Sequence, residues 1–77
     1  MSKQSIEDCV RKSLEKYFKD LDGERPHALY DMMILTVERP LLEFVMQHTN
    51  SNQSEASALL GINRNTLRKK LQQHGLI

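Results

Sequence analysis

Between Leu29 and Met46 the sequence is apolar on too many sides to be one face of a surface helix. Leu29, Tyr30, Met32, Met33, Ile34, Leu35, Val37, Leu41, Leu42, Phe44, Val45 and Met46 fall within eighteen consecutive positions. A helix that is hydrophobic nearly all round must be buried on more than one side, and a chain of 77 residues has too little material to surround it. A domain this short buries only about 60% of the surface its unfolded chain exposes. The simplest remedy is a second copy of the chain, with the two helix pairs packing as a four-helix core. Pro40 lies inside the stretch, but the pattern resumes at once with Leu41 and Leu42, which favours one kinked, continuous helix over two.

The rest of the chain reads as all-α, with four helices and no strand-like alternation. A first helix is expected from about Ser5 to Asp20. Ile6, Cys9, Val10, Leu14, Tyr17, Phe18 and Leu21 recur at three- and four-residue steps along it and share a face. Ser5 and Asp8 have capping-box spacing, and Gly23 is the stop. Cys9, the only cysteine, is read as a small buried hydrophobe. The second helix is expected to start near Pro26, which suits a first turn, and to run to about His48. Asn50-Ser51-Asn52 is a turn cluster. Asn52 then caps a short third helix, with Glu55 reaching back; Ala56, Leu59 and Leu60 face inward and Gly61 ends it. Asn63 caps a fourth helix to about His74, closed by Gly75, with Leu67 and Leu71 inward.

Charge is unevenly spread. Residues 1–49 carry seven Lys/Arg against nine Asp/Glu, whereas residues 50–77 carry Arg64, Arg68, Lys69 and Lys70 against Glu55 alone. A basic end on a nearly neutral chain is the electrostatic footprint of a polyanion-binding surface. Residues 52–71 read as helix, glycine turn, helix, the plan of a helix-turn-helix whose second helix enters the major groove. Arg64 suits guanine, whose O6 and N7 accept from its fork, and Asn63 and Asn65 are amides of the kind that read adenine. Asn52, Ser54 and Thr66 lie at or near helix N-termini, where phosphate is favoured. Arg68, Lys69 and Lys70 neutralise backbone charge.

Glu38-Arg39-Pro40-Leu41-Leu42-Glu43, Val45-Met46-Gln47, Asn52-Gln53 and the block Leu60–Leu71 closely resemble the Fis family of bacterial nucleoid-associated DNA-binding proteins. The likeness extends back through Leu29-Tyr30 and Tyr17-Phe18. It implies a single Fis-like domain over residues 1–77, with dimerisation helices at about 5–49 and a DNA-binding unit at about 52–75. The first two helices would intertwine with those of the partner, with Val10, Leu14, Phe18, Met33, Ile34, Val37, Leu41 and Val45 in the dimer core. Paired recognition helices would sit too close for straight DNA, so binding bends the duplex. By position, Asn63, Arg64 and Lys69 fall where the family contacts bases, and Asn52, Ser54, Thr66 and Arg68 where it contacts phosphates. The expected setting is cytoplasmic and nucleoid-associated, in DNA organisation and transcription.

Three departures qualify the resemblance. The chain begins almost at its first helix, so the arm with which enteric members stimulate invertases has no counterpart and no invertase contact is expected. Asn50, Gln72 and Gln73 are neutral where the family often has Lys or Arg, which predicts weaker phosphate anchoring. Ser57 stands where helix-turn-helix units usually have alanine, its hydroxyl expected to bond to the preceding turn, and Asn65 replaces a commonly smaller residue and is expected to add a base contact. The last block is shared with enhancer-binding activators of the NtrC type, so the competing readings are a C-terminal module of such an activator or a helical protein-interaction module. Met1 ahead of a capped helix, and an end two residues after Gly75, favour a small whole protein.

Other signals fail on spacing. In Asp20-Leu21-Asp22-Gly23-Glu24 the glycine is misplaced for a calcium loop. His27, His48, His74 and Cys9 lie on separate segments, without zinc spacing; His74 near a helix C-terminus suits the dipole there, and the other two histidines read as surface residues. Met32, Met33 and Met46 read as packing residues. No nucleophile elbow or phosphate loop is present, so neither enzyme activity nor a metal or cofactor is expected. No apolar run is long enough to span a bilayer.

Overall fold

The computed structural model describes residues 2–77 and contains four helices, α1 (Lys3–Leu21), α2 (Leu29–His48), α3 (Gln53–Leu60) and α4 (Arg64–Gln73). No strand occurs among the described residues. The all-α expectation therefore holds, with some boundaries displaced. α1 begins two residues early, because Ser2 rather than Ser5 is its cap and accepts the Ser5 N–H at 3.2 Å. α2 begins at Leu29 rather than near Pro26. Ala28 precedes it with φ +50° and no capping side chain, leaving Pro26 in the connection. The helix then runs through Pro40 without interruption.

Three helix ends share one device. Within two residues of the ends of α2, α3 and α4 the chain adopts a left-handed conformation, at Asn50 (φ 53°), Gly61 (φ 71°) and Gly75 (φ 68°). In each case the next N–H turns back five residues: Ser51 to the Met46 carbonyl (2.8 Å), Ile62 to Ser57 (3.1 Å) and Leu76 to Leu71 (2.8 Å). This is the Schellman pattern, which satisfies carbonyls that the helix itself leaves open. Its companion apolar contact is present too, since Ile62 and Leu76 both pack on the core.

That core is small. Leu42, Ala56, Leu67 and Leu71 are its fully buried members, and Val45, Met46, Leu60, Ile62 and Leu76 pack around them. It joins the C-terminal half of α2 to α3 and α4. Thr49 and Ser57 are buried with their hydroxyls satisfied, Thr49 Oγ1 by the Val45 carbonyl (2.9 Å) and Ser57 Oγ by the Ser54 carbonyl (2.9 Å), the back-bond expected of Ser57. No buried side-chain polar atom among the described residues lacks a partner.

Two inward assignments are corrected. Leu59 is 59% exposed, because α3 meets its neighbours along Ala56, Ser57 and Leu60, and Leu59 lies a further 100° round the helix. Cys9 is exposed as well, since α1 contributes no buried residue to the single chain. One side of α2 is similarly bare as far as Leu41: Ile34, Val37 and Leu41 are exposed, while Met32 and Met33 are half-buried. The Cα radius of gyration is 15.0 Å, against about 11–12 Å for a compact domain of this length. The accessible surface is 6368 Å², whereas a folded monomer of this mass exposes about 4,900 Å².

Candidate nucleic-acid interface

The last two helices are set by their caps. Asn52 Oδ1 accepts the Glu55 N–H at 3.1 Å and opens α3. The expected return bond from the Glu55 side chain is absent, because the Asn52 N–H is already given to the Thr49 carbonyl at 3.1 Å. Asn63 Oδ1 accepts the Asn65 N–H at 2.7 Å and opens α4. Between them Gly61 turns the chain. A Cβ added there would meet nothing within 4 Å, so the demand for glycine comes from the left-handed backbone alone.

α4 is divided lengthwise. Leu67 and Leu71 are fully buried against α3 and α2, with Ser57 and Ala56, both small, letting the helices cross closely. Arg64, Asn65, Thr66, Arg68 and Lys69 are exposed. No ion pair among the described residues engages Arg64, Arg68 or Lys69, so their charge is turned to solvent. Asn52 and Ser54 are also exposed, at the opening of α3. Eight of the nine residues expected to meet nucleic acid are therefore accessible: Asn52, Ser54, Asn63, Arg64, Asn65, Thr66, Arg68 and Lys69. The N-terminus of α4, where backbone N–H groups and the helix dipole favour anions, carries Arg64 and Asn65.

Lys70 is the exception. It is half-buried, and its Nζ donates to Glu38 Oε2 at 2.8 Å. The other oxygen of the same carboxylate, Oε1, meets His74 Nε2 at 2.9 Å. Beside them Arg39 Nη1 donates to the His74 carbonyl at 2.6 Å while its Nε pairs with Glu43 at 2.9 Å. The hydrogen bond from Lys70 is the largest influence on the Glu38 carboxyl. It outweighs partial burial, is reinforced by the hydrogen bond to His74 and by the Lys70 charge, and holds the group below the ordinary glutamate range. The sequence reading missed this cluster and placed His74 at the dipole only. Its one sequence trace is an acid in α2 without an i+4 base partner.

His27 and His48 are exposed, with His48 stacked on Phe44 at a 6.1 Å ring separation. No helix among the described residues is long and apolar enough to cross a membrane.

Comparison with known proteins agrees with this arrangement. The family model for bacterial regulatory proteins of the Fis family matches residues 35–74, the span from mid-α2 to the end of α4. A protein of Ralstonia nicotianae described as a Fis-like DNA-binding protein is 61% identical over 77 residues, covering 100% of both chains. Two proteins of Neisseria meningitidis, from serogroups A and B and described in the same words, are 58% identical over 72 residues, covering 94% of this chain and 91% of theirs. The matched spans take in all four helices, and the chain belongs to the Fis family of bacterial regulatory proteins.

Proposed function

We propose that the chain is a homodimeric helix-turn-helix protein that binds and bends double-stranded DNA, acting in nucleoid organisation and transcriptional regulation. The observation that carries the reading is the division of α4. Its apolar side is seated on α3, its N-terminus is capped by Asn63, and Arg64, Arg68 and Lys69 stand on the exposed side without ion pairs among the described residues. Relatives of similar length and about 60% identity carry a DNA-binding description, which supports the same partner here. In this reading Asn63, Arg64, Asn65 and Lys69 read bases, while Asn52, Ser54, Thr66 and Arg68 hold phosphates. No catalytic role is assigned to any residue.

Surplus surface supports the dimer. The chain exposes roughly 1,500 Å² more than a folded monomer of its mass, and the standard protein interface takes only about 800 Å² from each partner. Ile34, Val37, Leu41 and Phe18 are exposed and apolar, and Val10, Leu14, Met33 and Val45 beside them are half-buried. A second copy covering α1 and the bare side of α2 as far as Leu41 accounts for seven of them, and Val45 is shared with the core of its own chain. It also pairs two recognition helices, and the close spacing implied by the family likeness supports bending.

The test is fluorescence anisotropy with a labelled duplex across salt concentrations, beside a sedimentation run. Saturable binding by a species of twice the chain mass, weakening steeply as salt rises, is the expected result. A folded dimer that ignores duplex DNA but captures an acidic protein overturns the reading in favour of a protein-interaction module.

A further inference from the structure

We propose that Glu38 is a positioning residue for DNA binding, its carboxylate clamping the last turns of α4 to α2 through Lys70 and His74, and that Lys70 serves this clamp instead of a phosphate. The inference rests on the DNA-binding reading above and deepens it.

Its basis is the geometry between α2 and α4. The buried core beneath the motif supports α4 mainly through Leu67 and Leu71 on one side. The C-terminal half of α4 is tied to the body of α2 by three polar links: Glu38 to Lys70 at 2.8 Å, Glu38 to His74 at 2.9 Å, and Arg39 to the His74 carbonyl at 2.6 Å. The side chains of Glu38 and His74 are only 13% and 7% exposed. Pairs so sheltered are poorly screened by salt. One carboxylate spends both oxygens on one helix, so it fixes the roll of α4 as well as its distance. That roll decides whether Asn63, Arg64 and Asn65, about one and a half to two turns from Lys70 along the same rigid helix, point into a groove or beside it. Lys70 Nζ is committed at 2.8 Å inside a hollow also lined by Asp31 and Gln73. Reaching a phosphate would require it to leave the acid that two helices share.

The clamp and ordinary electrostatics predict opposite signs. Removing an acid next to a DNA-binding helix normally strengthens binding to a polyanion, and freeing a lysine adds to that. If Glu38 positions α4, Glu38→Gln instead weakens binding. The experiment measures affinity of the parent chain, Glu38→Gln, Lys70→Met and the double variant for a duplex selected from a random pool by the parent, and for random duplex, at several salt concentrations. Circular dichroism establishes that each variant is folded at the temperature of binding.

The expected result is about tenfold weaker binding of Glu38→Gln to the selected duplex, with a smaller loss on random duplex. Lys70→Met should weaken binding with an unchanged salt slope, and the double variant should be no worse than the poorer single. Glu38→Gln binding as tightly as the parent, or more tightly, overturns the proposal. So does a salt slope for Lys70→Met shallower by about 0.9, the signature of one lost phosphate contact. If Glu38→Gln does not fold, the Lys70→Met slope decides alone. A parent chain that binds no duplex at any salt is a different failure: it removes the DNA reading, and this inference with it.

Discussion

In the proposed DNA-binding reading, Asn63 holds two roles in one amide. Its Oδ1 accepts the Asn65 N–H at 2.7 Å, which caps α4, while its NH₂ is left to donate outward. The roles separate by substitution. Asn63→Ser keeps a capping oxygen and removes the amide donors, so thermal stability should stay within about 0.5 kcal/mol of the parent while DNA affinity falls. Asn63→Ala loses both, and a chemical denaturation curve should show about 1 kcal/mol of destabilisation. Arg64 has no capping role, so Arg64→Ala should leave stability unchanged, cost about 1–3 kcal/mol in binding and relax specificity at its base. Equal losses on specific and random duplex would remove it from base reading. At this scale legibility depended on whether the chemistry is local. Asn52, Asn63, Gly61 and Gly75 announce themselves because caps and left-handed turns need particular side chains. Ala28 opens α2 at φ +50° with nothing in its identity to mark the place. Glu38 and His74 are 36 residues apart in sequence, so no local pattern joins them.

At the scale of elements, the joint between α2 and α4 has a pH signature. The Glu38 carboxyl is held below its ordinary range, chiefly by the Lys70 hydrogen bond. A group with a depressed folded pKa stabilises the fold above its unfolded value, about 4.3 for glutamate. That contribution is lost as pH falls through the lower folded value. Glu38→Gln should therefore melt below the parent at pH 7, and the gap should narrow as pH falls below about 4.3. A constant gap across that window would mean that the charge of Glu38 is not what ties the helices. The turn between α3 and α4 makes a separate demand. Gly61 has φ +71° and open space where a Cβ would stand, so Gly61→Ala should cost about 1 kcal/mol from backbone strain alone. Gly61→Asn should cost less, as Asn50 occupies the same position after α2 at φ 53°. The helices themselves were readable from apolar periodicity and turn residues. Which face each one buries was readable only where neighbours are close in sequence. Leu59 was placed inward because apolar spacing alone cannot distinguish it from Leu60, and only the crossing of α3 with α2 and α4 turns it out.

For the whole molecule, the same surplus appears in the sequence and in the fold. Leu29–Met46 holds more apolar side chains than one chain can cover, and the folded chain leaves Ile34, Val37 and Leu41 exposed above a core of four fully buried residues. Such a core lies toward the unstable end for so small a domain, so the second copy proposed here would supply stability as well as a second recognition helix. That makes stability depend on concentration. A folded state that exists as a dimer gains from mass action, and its melting temperature rises with chain concentration; a self-sufficient monomer has no such dependence. Val37 is the residue on which to test this. It lies on the bare side of α2, is 49% exposed, and is remote in sequence from α3 and α4. Val37→Asp places a charge where the partner would pack, and burying an unpaired carboxylate is costly enough to prevent association. The parent chain should sediment as a dimer, with a melting temperature that climbs with concentration. Val37→Asp should sediment as a monomer or unfold at the same concentrations, and should lose DNA affinity although every groove-facing residue is intact. A Val37→Asp chain that still sediments as a dimer and binds DNA like the parent would place the second copy on some other face.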